Sequence, residues 1–151
     1  MAAVRTATVT WQGDLTEGSG TVSAGSSDMF RDLPVSWASR TEAPAGRTSP
    51  EELLAAAHAS CFAMALSAGL RRAGTPPVEL HIEAEVTFDK VGDDWTVVSS
   101  ALTVLGQVPG ATHASFREAA EAAKDGCPIS RALAGNVALS VEATLEEPEE
   151  G

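Results

Sequence analysis

The sequence predicts an α+β fold built from antiparallel sheets, with about six strands and with helices inserted between the hairpins. Three observations predict it: several segments alternate apolar and polar residues like half-buried strands, one long segment has an apolar helical pattern, and the strands do not alternate strictly with helices. Strict alternation would instead indicate a parallel sheet. We expect a single domain over residues 1–151, because one core serves a chain of this length.

Three strands are predicted near the N-terminus. Residues 4–11 alternate threonines with small or apolar residues, a weaker strand follows at residues 20–23, and a third is predicted at residues 35–40. Glycine- and serine-rich turns separate them. This order indicates a small antiparallel meander.

The strongest helix signal extends over residues 49–72. Ser49 suits the N-cap, Pro50 suits the first helical position, and Glu52 completes a capping box, which leaves Glu51 without a local structural role. The segment is largely apolar but is interrupted by serines and a histidine, so we interpret it as a core helix and not as a membrane span. A helix that is apolar nearly all round must be covered all round, and we infer that a second copy of the chain supplies part of the cover.

The remaining elements follow from alternation and from glycine and proline stops. A helix is expected to begin at Ser115, with Glu118 at its third position, and to end before Gly126. In chain order we expect strands at residues 78–89 and 95–105, helices at residues 115–125 and 128–133, a last strand at residues 137–145 and an acidic, disordered tail at residues 146–151.

The composition excludes several function classes. A hydrophobic fraction of 44% and a charged fraction of 21% are typical of a soluble globular protein. A formal net charge of −11 argues against binding to nucleic acid or to an anionic membrane. No apolar leader is recognisable at the N-terminus, so we expect a cytoplasmic protein. Two cysteines and three histidines lack the spacing of metal ligands and no phosphate-cradling motif occurs, so neither a metal nor a cofactor is expected.

The two cysteines indicate either redox chemistry or inert packing. Cys61 lies in the middle of the long helix, beyond the reach of the helix dipole, so a reactive thiolate there needs a cation from elsewhere in the fold. Cys127 lies between two helices and at the start of the second, where the pKa of a thiol is lowered. These positions alone leave open which thiol attacks. His58, three residues before Cys61, is either a core histidine or a group that tunes the thiol.

Three motifs, in this order, closely resemble the osmotically inducible OsmC branch of the OsmC/Ohr family. They are Trp-Gln-Gly-Asp with Gly-Ser-Gly-Thr-Val-Ser at residues 11–14 and 18–23, Ser-Pro-Glu-Glu-Leu-Leu-Ala-Ala-Ala-His-Ala-Ser-Cys-Phe at 49–62, and Asp-Gly-Cys-Pro-Ile-Ser at 125–130. The resemblance covers nearly the whole chain. It implies the OsmC-like fold, in which antiparallel sheets wrap around central helices in an intertwined homodimer.

The resemblance also implies an activity. Such proteins are thiol peroxidases that reduce organic hydroperoxides to alcohols, act in oxidative and osmotic stress defence, and are re-reduced by dithiols, lipoylated proteins among them. By resemblance, Cys61 attacks the peroxide and becomes a sulfenic acid, and Cys127 resolves it as a disulfide. The family's arginine and glutamate correspond to Arg40 and Glu51, although the stretch at residues 28–47, which contains two more arginines, matches only loosely.

Helix geometry predicts a shared site. Ten residues separate Glu51 from Cys61, which is roughly 15 Å along one continuous helix. If two such helices cross antiparallel near residues 55–57, Glu51 of one chain lies near Cys61 of the other; a kinked helix is the alternative.

Other functions remain open at this point. A stress protein of the same fold could bind an apolar ligand without turnover, and a purely structural stress protein would consume no hydroperoxide. A general disulfide oxidoreductase is less well supported, because the sequence has no Cys-x-x-Cys motif.

Overall fold

The computed structural model describes residues 1–147. The described residues fold as two compact units, 1–53 and 54–147. Of the acidic tail predicted at residues 146–151, only the first two residues lie within the described part. The N–H of Glu146 donates to the carbonyl of Gly106 at 2.7 Å, and the carboxylate of Glu147 lies 2.7 Å from Nε2 of His113.

The first unit contains a three-stranded antiparallel sheet of β1 (Ala7–Gln12), β2 (Ser19–Ala24) and β3 (Leu33–Val35), in that order. The predicted meander is therefore confirmed. The third strand was wrong beyond Val35, because Ser36 caps a short helix, α1 (Trp37–Thr41), instead of extending the strand. The Ser36 and Ser39 hydroxyls each accept the other's backbone N–H at 3.1 Å, and this capping box turns the chain into the helix.

Helix α2 (Pro50–Arg72) begins where the sequence predicts. The Ser49 hydroxyl accepts the N–H of Glu52 at 3.1 Å, and the Glu52 carboxylate accepts the hydroxyl of Thr48 at 2.7 Å. Among residues 1–147 it is the one helix long and apolar enough to cross a bilayer by length and composition, with a mean hydropathy of 1.7 over its most apolar 18 residues. Only 22% of that window is buried. The single chain thus leaves most residues of this apolar helix half-buried or exposed.

The second unit contains a sheet in the order β4-β5-β6, formed by β4 (Glu79–Val91), β5 (Asp94–Gln107) and β6 (Ala138–Leu145). The β4–β5 hairpin is antiparallel, as predicted, but β6 pairs in parallel with β5. The expectation of antiparallel pairing throughout was wrong for β6. Helices α3 (His113–Gly126) and α4 (Pro128–Leu133) lie between these strands in sequence, and they form the kind of crossover that parallel pairing needs.

The core of the second unit is formed by α2, β5 and α3. Helix α3 begins earlier than predicted, because Thr112 and Ser115 form its capping box and Glu118 is not part of the cap. The ring of Phe116 lies against Gly106 of β5, where any Cβ would overlap it. The fully or nearly fully buried apolar side chains include Phe62, Leu66, Leu70, Leu102, Val104 and Phe116.

Candidate functional site

An ion pair in the first unit joins α1 to the first turn of α2. Nη2 of Arg40 lies 2.6 Å from Oε1 of Glu51, and Nε lies 3.1 and 3.2 Å from the two carboxylate oxygens. Glu51 is only 7% exposed. The guanidinium also lies over the ring of Trp37, 5.6 Å from its centroid, within the range of a cation–π contact. Together the carboxylate and the ring fix the direction in which the cation points.

An apolar cavity of about 420 Å³ lies in the same unit, and Arg40 forms part of its wall. A cavity of this size can hold a small organic molecule or the tail of a larger one. Apart from Arg40 and Ser36 its lining is apolar, and includes Val9, Trp11, Leu15, Val35, Trp37 and Leu53.

The two thiols meet in the second unit. Cys61 lies in the middle of α2, and Cys127 is at once the C-cap of α3 and the N-cap of α4. Both are free, and they lie close enough for each thiol to affect the pKa of the other. Cys127 is 0% exposed, whereas Cys61 is partly exposed. A reagent from solvent therefore reaches Cys61 and not Cys127.

Local hydrogen bonds favour the charged form of Cys127. Burial acts to raise the pKa of this thiol, but hydrogen bonds from the Ser130 hydroxyl and amide, from Cys61 and from the Ile129 amide outweigh it, so that the pKa lies below its ordinary value. The N–H of Ser130 lies 3.3 Å from Sγ of Cys127, and the Ser130 hydroxyl lies 3.2 Å from it. The sequence-based expectation that this sulfur lies at a helix N-terminus is confirmed.

The surroundings of Cys61 favour the neutral thiol. Burial raises the pKa of Cys61 above its ordinary value, and the neighbouring Cys127 raises it further, while the Ile129 amide and the charge of Arg131 lower it. Within one chain, the balance leaves the more accessible sulfur as the weaker acid. A cation directed at Cys61 would reverse this order.

A buried histidine extends the thiol site, and sequence reasoning did not assign it. His58 is 0% exposed; its Nδ1 lies 2.6 Å from the Ser100 hydroxyl and its Nε2 lies 2.8 Å from the Ser130 hydroxyl. Burial lowers the pKa of His58, which keeps the ring neutral near neutral pH. The spacing of His58 to Cys61 and of Ser130 to Cys127 was a signal for two of these residues, but nothing in the sequence pointed to Ser100.

The structure thus brings the four predicted site residues together as two pairs, Arg40 with Glu51 in the first unit and Cys61 with Cys127 in the second. The roles of these residues stay predictions. Across residues 1–147, no three histidine, cysteine, aspartate or glutamate side chains are grouped so that they could hold a metal ion.

Comparison with known proteins relates the chain to redox proteins. The family described as OsmC-like protein matches residues 43–142. Peroxiredoxin OsmC of Escherichia coli strain K12 is 39% identical over 132 residues, which cover 87% of this chain and 91% of that protein. The uncharacterized protein YmaD of Bacillus subtilis strain 168 is 28% identical over 109 residues, or 70% of this chain and 73% of that protein.

Solved structures share the fold. The organic hydroperoxide resistance protein OhrB of Bacillus subtilis superposes with a TM-score of 0.67 at 26% identity, covering 92% of this chain and 98% of that one. An OsmC-like protein from Mycoplasma pneumoniae has a TM-score of 0.73 at 17% identity, covering 97% of this chain and all (100%) of that one. At that identity the second likeness concerns the fold alone.

Proposed function

This chain belongs to the OsmC-like protein family, and we propose that it is a cysteine-based peroxidase that reduces organic hydroperoxides to alcohols in stress defence. The family resemblance and the OsmC-like α+β fold expected from the sequence are confirmed. A relative named peroxiredoxin at 39% identity supports the peroxidase activity. A structural neighbour named for organic hydroperoxide resistance supports the class of substrate.

The observation that carries the proposal is the pairing of one accessible and one buried thiol. A peroxidase that closes a disulfide needs an attacking sulfur that substrate can reach, and a second sulfur close enough to displace the oxidised group. Cys61 meets the first requirement by its partial exposure, and Cys127 meets the second because it lies close enough to Cys61 for each thiol to affect the pKa of the other. The reverse assignment would require substrate to reach a sulfur that is 0% exposed.

In the first step, the Cys61 thiolate attacks the distal oxygen of the hydroperoxide. The O–O bond breaks, the proximal oxygen leaves with the electron pair and takes up a proton to give the alcohol, and the sulfur becomes a sulfenic acid. In the second step, the Cys127 sulfur attacks the Cys61 sulfur. The S–O bond breaks, the oxygen leaves as water once protonated, and a disulfide forms. A dithiol, a lipoylated protein among the candidates, is oxidised as it restores the two thiols.

We propose that Arg40 supplies the cation that makes Cys61 a thiolate, because the charge of Arg131 alone leaves the pKa of Cys61 raised. Arginine keeps its charge in proteins and offers several N–H donors, so it can hold a thiolate and a peroxide oxygen together. Glu51 holds the guanidinium in place through the contacts at 2.6 to 3.2 Å. Because helical spacing separates Glu51 from Cys61 by roughly 15 Å, the proposed site joins Arg40 and Glu51 of one chain to Cys61 of a second.

A homodimer is part of this proposal. The uncovered face of α2 supports it, because small or flexible side chains are exposed at successive four-residue intervals, which allows close approach of another helix. These residues are Ala56, Ser60, Met64 and Ala68. Covering them would also remove the apolar surface of Ala56, Met64 and Ala68 from water.

Peroxide consumption coupled to a dithiol tests the activity. We expect the wild-type chain to turn over cumene hydroperoxide, and Cys61→Ser to lose turnover altogether. Cys127→Ser should consume about one equivalent and leave a sulfenic acid on Cys61 that a dimedone-type reagent traps. Single turnover by Cys61→Ser and not by Cys127→Ser would reverse the roles of the two thiols.

The cavity beside Arg40 favours one alternative, an apolar-ligand-binding stress protein without turnover. That protein would consume no hydroperoxide, and neither cysteine substitution would alter its binding of an apolar fluorescent probe. Turnover that is lost with Cys61→Ser excludes it.

A further inference from the structure

Four buried side chains form a continuous row of hydrogen bonds that ends on Cys127. The Ser100 hydroxyl contacts Nδ1 of His58 at 2.6 Å, Nε2 of His58 contacts the Ser130 hydroxyl at 2.8 Å, and that hydroxyl contacts Sγ of Cys127 at 3.2 Å. The row joins β5, α2 and α4 inside the second unit. Each of its four members is at most 1% exposed.

The proton arrangement along this row is restricted. A neutral imidazole has one donor and one acceptor nitrogen. When Cys127 is a thiol that donates to Ser130, the Ser130 hydroxyl is left to donate to Nε2 of His58, and Nδ1–H then donates to Ser100. Every bond in the row points away from the sulfur. A proton leaving Cys127 therefore has a path to His58 through a single hydroxyl.

A histidine that only fills the core needs two partners of any kind. Here, one of the two partners, Ser130, also contacts the sulfur of Cys127, which must become a nucleophile. It does so twice, through its hydroxyl and through its backbone N–H. Water cannot take this role easily, because Cys127 is 0% exposed. Among the described hydrogen bonds, this row therefore provides the route by which a proton can leave the buried Cys127 thiol.

We propose that Ser130 and His58 control the resolving step, Ser130 by accepting the proton of Cys127 and His58, as a positioning residue, by orienting the Ser130 hydroxyl and taking up its proton. This inference rests on the proposed function, because it assigns residues to the second half of the peroxidase cycle. Ser100 fixes the ring of His58 from the other side.

The step balances without another reactant. As the Cys127 sulfur attacks the sulfenic sulfur of Cys61, its S–H bond breaks and the proton passes to Ser130, whose own proton passes to Nε2 of His58. The S–S bond forms with the electron pair of Cys127, and the S–O bond breaks to release hydroxide. The proton on His58 then passes back through the Ser130 hydroxyl to that hydroxide, which becomes water. Both sulfurs end as a disulfide.

The groups that affect the titration of Cys127 lie on the elements around it. Cys61 and His58 are on α2, and the hydrogen-bond donors Ser130 and the Ile129 amide are on α4, which also carries the cation Arg131 that acts on Cys61. When the compared chains have the same residue at position 61 and the same residue at position 131, any difference in the titration of Cys127 comes from the row.

The first test needs no peroxide. In a Cys61→Ser chain, thiolate absorbance in the ultraviolet reports Cys127 alone. We expect Ser130→Ala to raise the midpoint of this titration by about one pH unit, because the hydrogen bond from the hydroxyl to the thiolate is lost while those from the Ser130 and Ile129 amides remain. Ser140→Ala, which removes the hydroxyl of an exposed serine on β6, is the matched control and should leave the midpoint unchanged. An unchanged midpoint in Ser130→Ala overturns the inference.

The second test separates the two halves of the cycle by rapid mixing with one equivalent of cumene hydroperoxide. In Ser130→Ala and in His58→Gln we expect sulfenic acid to form on Cys61 at the wild-type rate, but disulfide formation to be about tenfold slower, as is common when a proton acceptor is removed. Ser130→Thr keeps a hydroxyl and should restore the rate. A structural role alone would slow both steps together or neither, and either result overturns the inference.

The two proposals fail in different ways. If wild type and Cys127→Ser form no sulfenic acid, the proposed peroxidase function is wrong, while the titration of the Cys61→Ser chain still decides whether the row controls the thiol. If sulfenic acid forms and His58→Gln resolves it at the wild-type rate, the peroxidase stands and the assignment of His58 is wrong.

Discussion

The two units treat buried polar groups in opposite ways. In residues 1–53, the buried ionisable group is a carboxylate, Glu51, and a bidentate arginine holds it. In residues 54–147, the buried polar side chains are a histidine that burial keeps neutral and two serines, next to a fully buried cysteine. The Arg40–Glu51 pair holds a positive charge in one orientation. The histidine and the two serines instead determine which groups donate and which accept hydrogen bonds. In the proposed peroxidase cycle, the first arrangement would stabilise a thiolate at Cys61 and the second would control the reaction of Cys127.

The largest expected effect comes from removing the charged arrangement. Arg40→Met and Glu51→Ala should each lower kcat/KM for cumene hydroperoxide by about 100-fold or more, because a directed charge on the thiolate and the peroxide is lost. Glu52→Ala and Arg31→Met are matched controls: both residues are exposed, and Glu52 contacts Thr48 while Arg31 pairs with Asp28. Wild-type kcat/KM in Arg40→Met would remove Arg40 from the site.

Heterodimers test whether the Arg40–Glu51 pair acts on Cys61 of its own chain or of the second chain. Glu51→Ala and Cys61→Ser are each expected to be inactive alone. In a mixed dimer, a shared site leaves one intact set of residues, so about half of the wild-type activity should return. The control pairs Glu51→Ala with the Glu51→Ala, Cys61→Ser double variant, which is inactive in either arrangement. If the mixture also stays inactive although mixed dimers are isolated, the site belongs to one chain.

A smaller effect is expected from the apolar cavity of the first unit. An alkyl or aryl tail that buries some 60–100 Å² gains roughly 1.5–2.5 kcal/mol, and 1.4 kcal/mol is tenfold in rate if it persists in the transition state. We therefore expect kcat/KM for cumene hydroperoxide to exceed that for hydrogen peroxide by at least about tenfold, under one saturating dithiol.

Substitution of the cavity wall checks the source of this preference. Leu15→Ala should reduce kcat/KM for cumene hydroperoxide and affect hydrogen peroxide much less, because only the bulky substrate has a tail to bury. Met29→Ala, an exposed side chain that does not line the cavity, is the control. Equal rates with both peroxides in the wild-type chain would show that the pocket is not selective for apolar tails.

The smallest effect concerns the neutral arrangement. Burial lowers the pKa of His58, so between its ordinary value near 6.5 and the lower folded value the unfolded chain binds more protons than the folded chain. Stability from this group is present above about pH 6.5 and is lost as the pH falls through the folded pKa, by at most about 1.4 kcal/mol per pH unit. In urea unfolding, the stability advantage of wild type over His58→Gln should shrink on acidification; a constant difference would mean that His58 is not held neutral.

The sequence predicted the helix starts that depend on neighbouring residues, because capping residues, glycine and proline act over a few positions. The start of α2 at Ser49 and Pro50 follows from capping, and the thiol at the start of α4 follows from the Gly-Cys-Pro stop. The prediction of the third strand beyond Val35 was also wrong for a local reason. The Ser36–Ser39 capping box starts a helix there, despite the strand-like alternation of apolar and polar residues.

Long-range features escaped prediction because no short stretch encodes them. The parallel direction of β6 depends on the crossover through α3 and α4, which the alternation of β6 alone does not reveal. His58 and Ser100 are 42 positions apart, and His58 and Ser130 are 72 apart, so the hydrogen-bonded row exists only in the fold. The resemblance to the OsmC/Ohr family supplied the roles of the two thiols, which their positions in the sequence had left open, and these roles stay predictions.

In the proposed homodimer, the exposed face of α2 would make the activity of this chain depend on its concentration. If a second copy covers that face and also brings Arg40 to Cys61, folding, assembly and activation of the thiol form one concentration-dependent equilibrium. The fraction of reactive Cys61 thiols would then depend on the protein concentration. At low concentration the monomer would carry a weakly acidic, poorly reactive thiol, and a rise in concentration alone would produce the active dimer.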